Sequence, residues 1–230
     1  PDTSERANAF AAFEKRLIDH KQRYFTKLPF PYVRQTHIKW ELFGPFENKG
    51  NLKASYWPEM KGVDLQDSTA AVQATGGTIW LWHTHGPAVQ AWLPAPKENT
   101  TWYAHTRFWS NADSTILMWL EFKDLSRSGA DATPPGGEWD YMHSKLWING
   151  ALIAPPQWAF PGRSSGRLEE PLVDEGFYYR PPREVKVKKG WNDVLVKLPM
   201  SKFDPDLDWQ VPPKWMFTVI PVHNGKGMNW

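Results

Sequence analysis

The sequence predicts an all-β chain: an antiparallel β-sandwich of jelly-roll type, preceded by one N-terminal α-helix. Three observations predict it. Short apolar or alternating runs separated by turn signals recur from residue 36 to residue 222. Amphipathic helical spacing is confined to the first 28 residues. The stretch 145–198 reads as a strand ending in Asn149-Gly150, a long excursion, a strand pair, and a strand closing on Lys197. Asn-Gly favours a tight hairpin turn because both residues tolerate positive φ.

The helix comes first. Phe10, Phe13, Leu17, Tyr24 and Leu28 recur at helical spacing, with Glu14, Lys15, Arg16, Lys21 and Arg23 largely between them. Asp2-Thr3-Ser4-Glu5 offers N-caps and an acidic first turn, and Pro29 stops the run. Two units follow from this: a helix over 1–31 and a sandwich over 32–230. Candidate strands are Thr36–Phe43, Asn51–Tyr56, Thr78–His85, Thr101–Trp109, Thr115–Phe122 and Tyr141–Ile148. Further candidates are Tyr178–Tyr179, Glu184–Lys188, Asp193–Leu198 and Trp215–Val222. Val185 and Val187 alternate with Lys186 and Lys188, as in a half-buried strand. Turn signals at Gly44-Pro45, Gly76-Gly77, Gly86-Pro87, Asn111-Ala112-Asp113, Asn149-Gly150 and Gly190 separate the runs. Two longer irregular stretches, Asp124–Asp140 and Ala154–Gly176, are expected binding loops.

Composition narrows the function classes. The chain has 230 residues, 41% of them hydrophobic, and a net charge of +2 with both signs dispersed. Nucleic acid is therefore not an expected partner. The lysines of 183–189 alternate with valines, which suits an exposed strand face. Without cysteine there is no disulfide, thiolate zinc site or thiol nucleophile. No apolar run reaches membrane-spanning length, and no membrane partner is expected. The opening Pro1-Asp2, without Met and without a signal peptide, is expected of a processed chain or a piece of a longer protein. Fifteen Trp is an unusual number. Indoles stack on pyranose C–H faces, and they also fill β-sandwich cores.

Candidate chemistry is sparse. His83 and His85 alternate on one strand face and would suit two ligands of a metal-dependent hydrolase, but no third ligand is singled out. Gly136-Gly137-Glu138-Trp139-Asp140 has its two acids separated by Trp139 and lies between strands, and it is not read as catalytic. Its glycines and prolines read as a loop, with Trp139 and Tyr141 exposed on it. The other acids, such as Glu121, Asp140, Glu169, Glu170, Asp174 and Glu175, form no catalytic motif, and no catalytic residue is assigned. The cluster Glu169–Glu175 has two readings, a solvated loop or an oxygen-rich structural calcium site. No other cofactor is indicated. Sugar stacking remains. Trp158 lies on a proline-stiffened loop beside Arg163, placed either to stack a sugar ring or to pack the loop onto the sandwich; Arg180, before Pro181-Pro182, has the same two readings.

With these residues laid out, the chain resembles the C-terminal part of bacterial β-N-acetylhexosaminidase-like enzymes of glycoside hydrolase family 20. FAAFEKRLIDHKQRYFTKLPFPYV resembles the tail of a catalytic (β/α)8 barrel, and WELFGPF at 40–46 the first accessory strand. GGTIWLWHTHGP, WINGALIAPPQW, YYRPPREVKVKKGWNDVLVKLP and KWMFTVIPV fit later strands of a galactose-binding-like jelly roll. The resemblance implies a secreted or periplasmic bacterial protein whose barrel hydrolyses terminal N-acetylhexosamine. That barrel's acid pair has no counterpart here.

The expectation is a non-catalytic accessory domain that supports the barrel and contacts carbohydrate. An independent carbohydrate-binding module stands beside it, and a metal-dependent hydrolase built on His83 and His85 further off. The expected partners are the parent's barrel and a glycan. The candidate contacts are Trp158, Arg163, Trp139, Tyr141 and Arg180.

Overall fold

The computed structural model describes residues 8, 11–12, 38–63, 72–83, 92–93, 97–122, 133–162, 172–174, 177–178, 182–202, 214–221 and 228–229. Asn8, Ala11 and Ala12 are helical; the rest of the predicted N-terminal helix lies outside the described residues. In chain order the further elements are β1 (Lys39–Glu47), α1 (Trp57–Lys61), β2 (Val72–Thr75), β3 (Thr78–His83), β4 (Thr100–Ser110) and β5 (Ser114–Glu121). Then follow β6 (Lys145–Ile148), β7 (Ala151–Leu152), β8 (Leu172–Asp174), β9 (Phe177–Tyr178), β10 (Arg183–Val187), β11 (Gly190–Met200), β12 (Lys214–Pro221) and β13 (Met228–Asn229).

Two antiparallel sheets pack as a sandwich. The first has the order β2-β1-β4-β11-β6-β7, with β13 pairing the far end of β4; the second has the order β10-β5-β12-β3. From β3 onward the chain keeps crossing between the sheets, except at the β6–β7 hairpin and the separate β8–β9 pair. Gly76 and Gly77 make one such crossing. The Gly76 amide donates to Ile38 O at 2.9 Å, while Gly77 O accepts from Val219 N at 2.9 Å, so adjacent residues bond to opposite sheets.

Alternation decides which side chains fill the gap. Trp40, Leu42, Ala104, Phe108, Leu146, Ile148, Val194, Val196 and Leu198 of the first sheet are buried, as are Ile79, Leu81, Met118, Leu120, Val185, Val187, Phe217 and Val219 of the second. Trp40 meets Phe217 edge-on at 4.7 Å. The alternation fades along part of the first sheet. Thr101, Tyr103 and His105 are buried although they point away from the core, because the segment 48–63 lies over that end of the sheet.

Several sequence expectations need correcting. Asn51–Tyr56 is not a strand. Gly50 N donates to Asn48 Oδ1 at 2.9 Å and Lys53 N to Asn51 Oδ1 at 3.2 Å, so the asparagines offer the backbone turn partners in place of a ladder. Gly44-Pro45 is not a turn between strands. It lies inside β1, where the pairing with β4 shifts register between Phe43 and Phe46. Tyr141–Ser144 is a turn, held because Asp140 Oδ1 accepts from Met142 N at 2.9 Å and Ser144 N at 3.0 Å. β9 and β10 do not pair with each other: β9 pairs with β8 and β10 with β5. The Asn149-Gly150 hairpin is as expected. Both residues have positive φ (52° and 77°), and the turn joins β6 to β7.

Candidate functional site

The outer face of the first sheet carries the chemistry. Register sets its rows: Glu41 lies opposite His105, His105 opposite Leu195, and Leu195 opposite Trp147. One row on, Arg107 faces Asp193; in the other direction Tyr103 faces Lys197 and Lys197 faces Lys145. None of these strands is consecutive in the chain, so the face is assembled only when the sheet closes.

One half of this face is roofed by α1. Its first turn carries Pro58, compatible with helix entry because an N-terminal amide has no helical partner there. An aromatic clasp holds it: Tyr56 stacks on Phe46 at 4.8 Å, and Trp57 meets Phe43 edge-on at 5.4 Å. Beneath, Glu59 Oε2 accepts from Tyr103 OH at 2.9 Å and lies 3.1 Å from Lys197 Nζ. Lys197 has no exposed surface and also donates to Lys53 O at 3.3 Å. Burial alone would raise the Glu59 pKa, but the hydrogen bonds from Lys197 and Tyr103 overcome it and hold the carboxyl below its usual range. Burial pushes the Lys197 ammonium down and the Tyr103 phenol up.

Beside this roof the face opens into a groove of about 400 Å³. Pro58, Glu59 and Gly62 form one wall and Gly150 the other; His105, Leu195 and Trp147 make the floor. Asp193 stands in it as a half-exposed acceptor. Its Oδ1 lies 3.4 Å from His105 Nε2 and 3.2 Å from Arg107 Nε. His105 Nδ1 lies 3.7 Å from Glu41 Oε2. Burial lowers the imidazole pKa, and the pull of Asp193 and Glu41 in the other direction does not overcome it. The main chain of Asp193 is fixed too: its amide donates to Asn149 Oδ1 at 3.1 Å, and its carbonyl accepts from Asn149 N at 2.9 Å.

The chemical character is therefore mixed. Glu41, Glu59 and Asp193 oppose Arg107, Lys145 and Lys197, so neither sign of charge dominates the groove and its surroundings. A half-buried indole, Trp147, supplies a flat apolar surface. Donors and acceptors interleaved over an aromatic floor suit a neutral ligand with many hydroxyls better than a strongly charged one.

The sequence-predicted contacts lie elsewhere. Trp139 is not exposed on its loop: it is 4% accessible, donates to Ile153 O at 3.1 Å, and packs on Phe122. Its area is better buried in the core than left in water. Trp158 is half-buried and donates to Glu138 O at 2.8 Å, which supports its loop-packing reading. Tyr141 donates to Thr133 O at 2.8 Å. Of the three, Trp158 ties the second long stretch to the first, Tyr141 closes the first on itself, and none of them lines the groove. Arg163 and Arg180 lie outside the described residues, as do His85 and most of Glu169–Glu175. His83 ends β3 opposite Lys214. Among the described residues, no group of three His, Asp or Glu side chains could hold a metal ion.

Comparison with protein-family models, curated proteins and solved structures gives no match. The outer face carried one sequence signal. Tyr103, His105, Arg107 and Trp109 alternate along a predicted strand, which marks them as a shared face without saying what pairs beside them.

Proposed function

We propose that this chain is a non-catalytic accessory domain of a secreted glycoside hydrolase, and that it contacts carbohydrate through the groove on the outer face of its first sheet. The observation that carries the reading is the groove's composition: an indole floor at Trp147 with Asp193 held ready by His105, Arg107 and Asn149. Sugars need an apolar surface for their C–H faces and paired donors and acceptors for their hydroxyls, and both are present. The sequence resemblance to the C-terminal region of family 20 enzymes supports the accessory role and names the partner, a barrel in the same parent protein.

The acids of the groove support a non-catalytic role. A glycosidase needs one carboxylic acid kept protonated near neutral pH opposite an ionised one. Glu59 is shifted the opposite way, and Asp193 is paired with Arg107.

The test is a titration of the purified chain with N-acetylglucosamine, N-acetylgalactosamine, galactose and chitobiose, following intrinsic Trp fluorescence. A saturable change with one sugar is expected, lost in Trp147→Ala and Asp193→Ala while the thermal unfolding transition persists. A flat response to all four sugars at millimolar concentration would leave the scaffold role and remove the binding one.

A further inference from the structure

Trp191 is the one large aromatic among the described residues that is left substantially exposed, at 47%. Single exposed apolar side chains are ordinary on protein surfaces; what sets this one apart is how it is held. Trp109 meets it edge-on at 5.6 Å, and the Arg107 guanidinium lies over its ring at 5.3 Å. Arg107 Nε in turn lies 3.2 Å from Asp193 Oδ1, the acceptor that stands in the groove. Trp191 is two residues from Asp193 on β11, so both belong to the same face, about 7 Å apart along the strand. The groove, Asp193, Arg107 and Trp191 therefore form one continuous track along β4 and β11.

Resting on the carbohydrate reading above, we infer that this track is a second subsite: the face takes an oligosaccharide, with one unit over Trp147 and Asp193 and the next stacked on Trp191. An indole already fixed by two neighbours loses little freedom when a sugar ring settles on it, which favours it as a platform over a free surface side chain. Arg107 lies between the two subsites, against Trp191 on one side and Asp193 on the other. It places a planar cation behind the indole and a donor next to the acid. The ligand class is a neutral glycan of at least two units, running parallel to the strands.

Isothermal titration of the full chain with N-acetylglucosamine, chitobiose and chitotriose, and in parallel with galactose, galactobiose and galactotriose, tests this. In the series that binds, the disaccharide is expected to bind about tenfold more tightly than the monosaccharide, the scale of one aromatic stacking contact. Trp191→Ala should remove that gain and leave monosaccharide affinity unchanged; Trp191→Phe should keep most of it. An unaltered gain in Trp191→Ala overturns the second subsite while the groove reading stands. Equal affinity for the mono- and disaccharide in the parent chain overturns it as well. Absence of binding to any of the six sugars overturns the groove reading and the subsite together.

Discussion

Asn192 is fully buried, and both ends of its amide are engaged. Its Oδ1 accepts from Lys188 N at 2.9 Å and Asn149 Nδ2 at 2.7 Å, and its Nδ2 donates to Lys188 O at 2.8 Å and Gly190 O at 3.0 Å. It joins the entry of β11 to the β6–β7 turn. Asn192→Ala would leave the part-buried amide and carbonyl of Lys188 and the carbonyl of Gly190 without this partner, at about 1–2 kcal/mol. Urea unfolding should read that loss, and because Asn149 also fixes Asp193, sugar affinity should fall with it. His105 makes a different prediction. Its imidazole lies between Glu41 of β1 and Asp193 of β11, with Arg107 beyond Asp193. Because burial lowers its pKa below the ordinary 6.5, the unfolded chain takes up that proton more readily than the folded one. The stability it contributes is present above pH 6.5 and is lost as pH falls through the lower folded value. The urea midpoint should therefore drop between pH 7 and pH 5, and His105→Asn should flatten part of that slope.

At the scale of the element, α1 is the instructive case. Five residues cannot hold a helix in water by propensity alone, so its existence depends on what it is docked against. Glu59→Gln would leave the Lys197 ammonium buried without its counter-charge, a cost of about 3 kcal/mol. Adding Lys197→Met should recover most of it, since a buried methionine in place of the ammonium needs no partner. A double-mutant cycle on the thermal midpoint reads this directly; equal losses in the single and double variants would mean that the pair does not hold the helix. The same docking explains what could be read from the chain. β4, β5, β10, β11 and β12 were legible because their alternation or apolar runs survive to the surface. Segment 48–63 was not, because its structure comes from asparagine turns and from a roof over Tyr103 and Lys197. A lysine in a strand reads as solvent-facing until something covers it.

Across the whole molecule, the sandwich was legible from strand spacing and turn chemistry, and the candidate site was not. Trp139, Trp158 and Tyr141 looked available because they sit in long loops rich in Pro and Gly. They bond instead to Ile153 O, Glu138 O and Thr133 O, so their polar ends are spent on packing these segments. The groove draws on β4, β6, β11 and the α1 segment, and its composition depends on which strands become neighbours. Local pattern shows which face a residue takes and is silent on the strand beside it.

That pairing also sets an order of events in synthesis. β4 finds its longest partnership with β11, Thr100 opposite Met200 and Ser110 opposite Gly190. At typical translation speeds, roughly 5–20 seconds separate the emergence of those two strands from the ribosome. Throughout that interval β1 is, among the described strands, the only synthesised partner, and it reaches only Thr100–His105 of β4; the edge that β11 will take, and the far end at Trp109 and Ser110 that β13 will take, wait. The nascent chain thus carries an unpaired, aromatic-rich strand edge for seconds, the kind of surface that chaperones hold and that neighbouring chains capture. Yield of this protein in a cell should respond to whatever slows or shields that wait, even where the finished fold is unchanged.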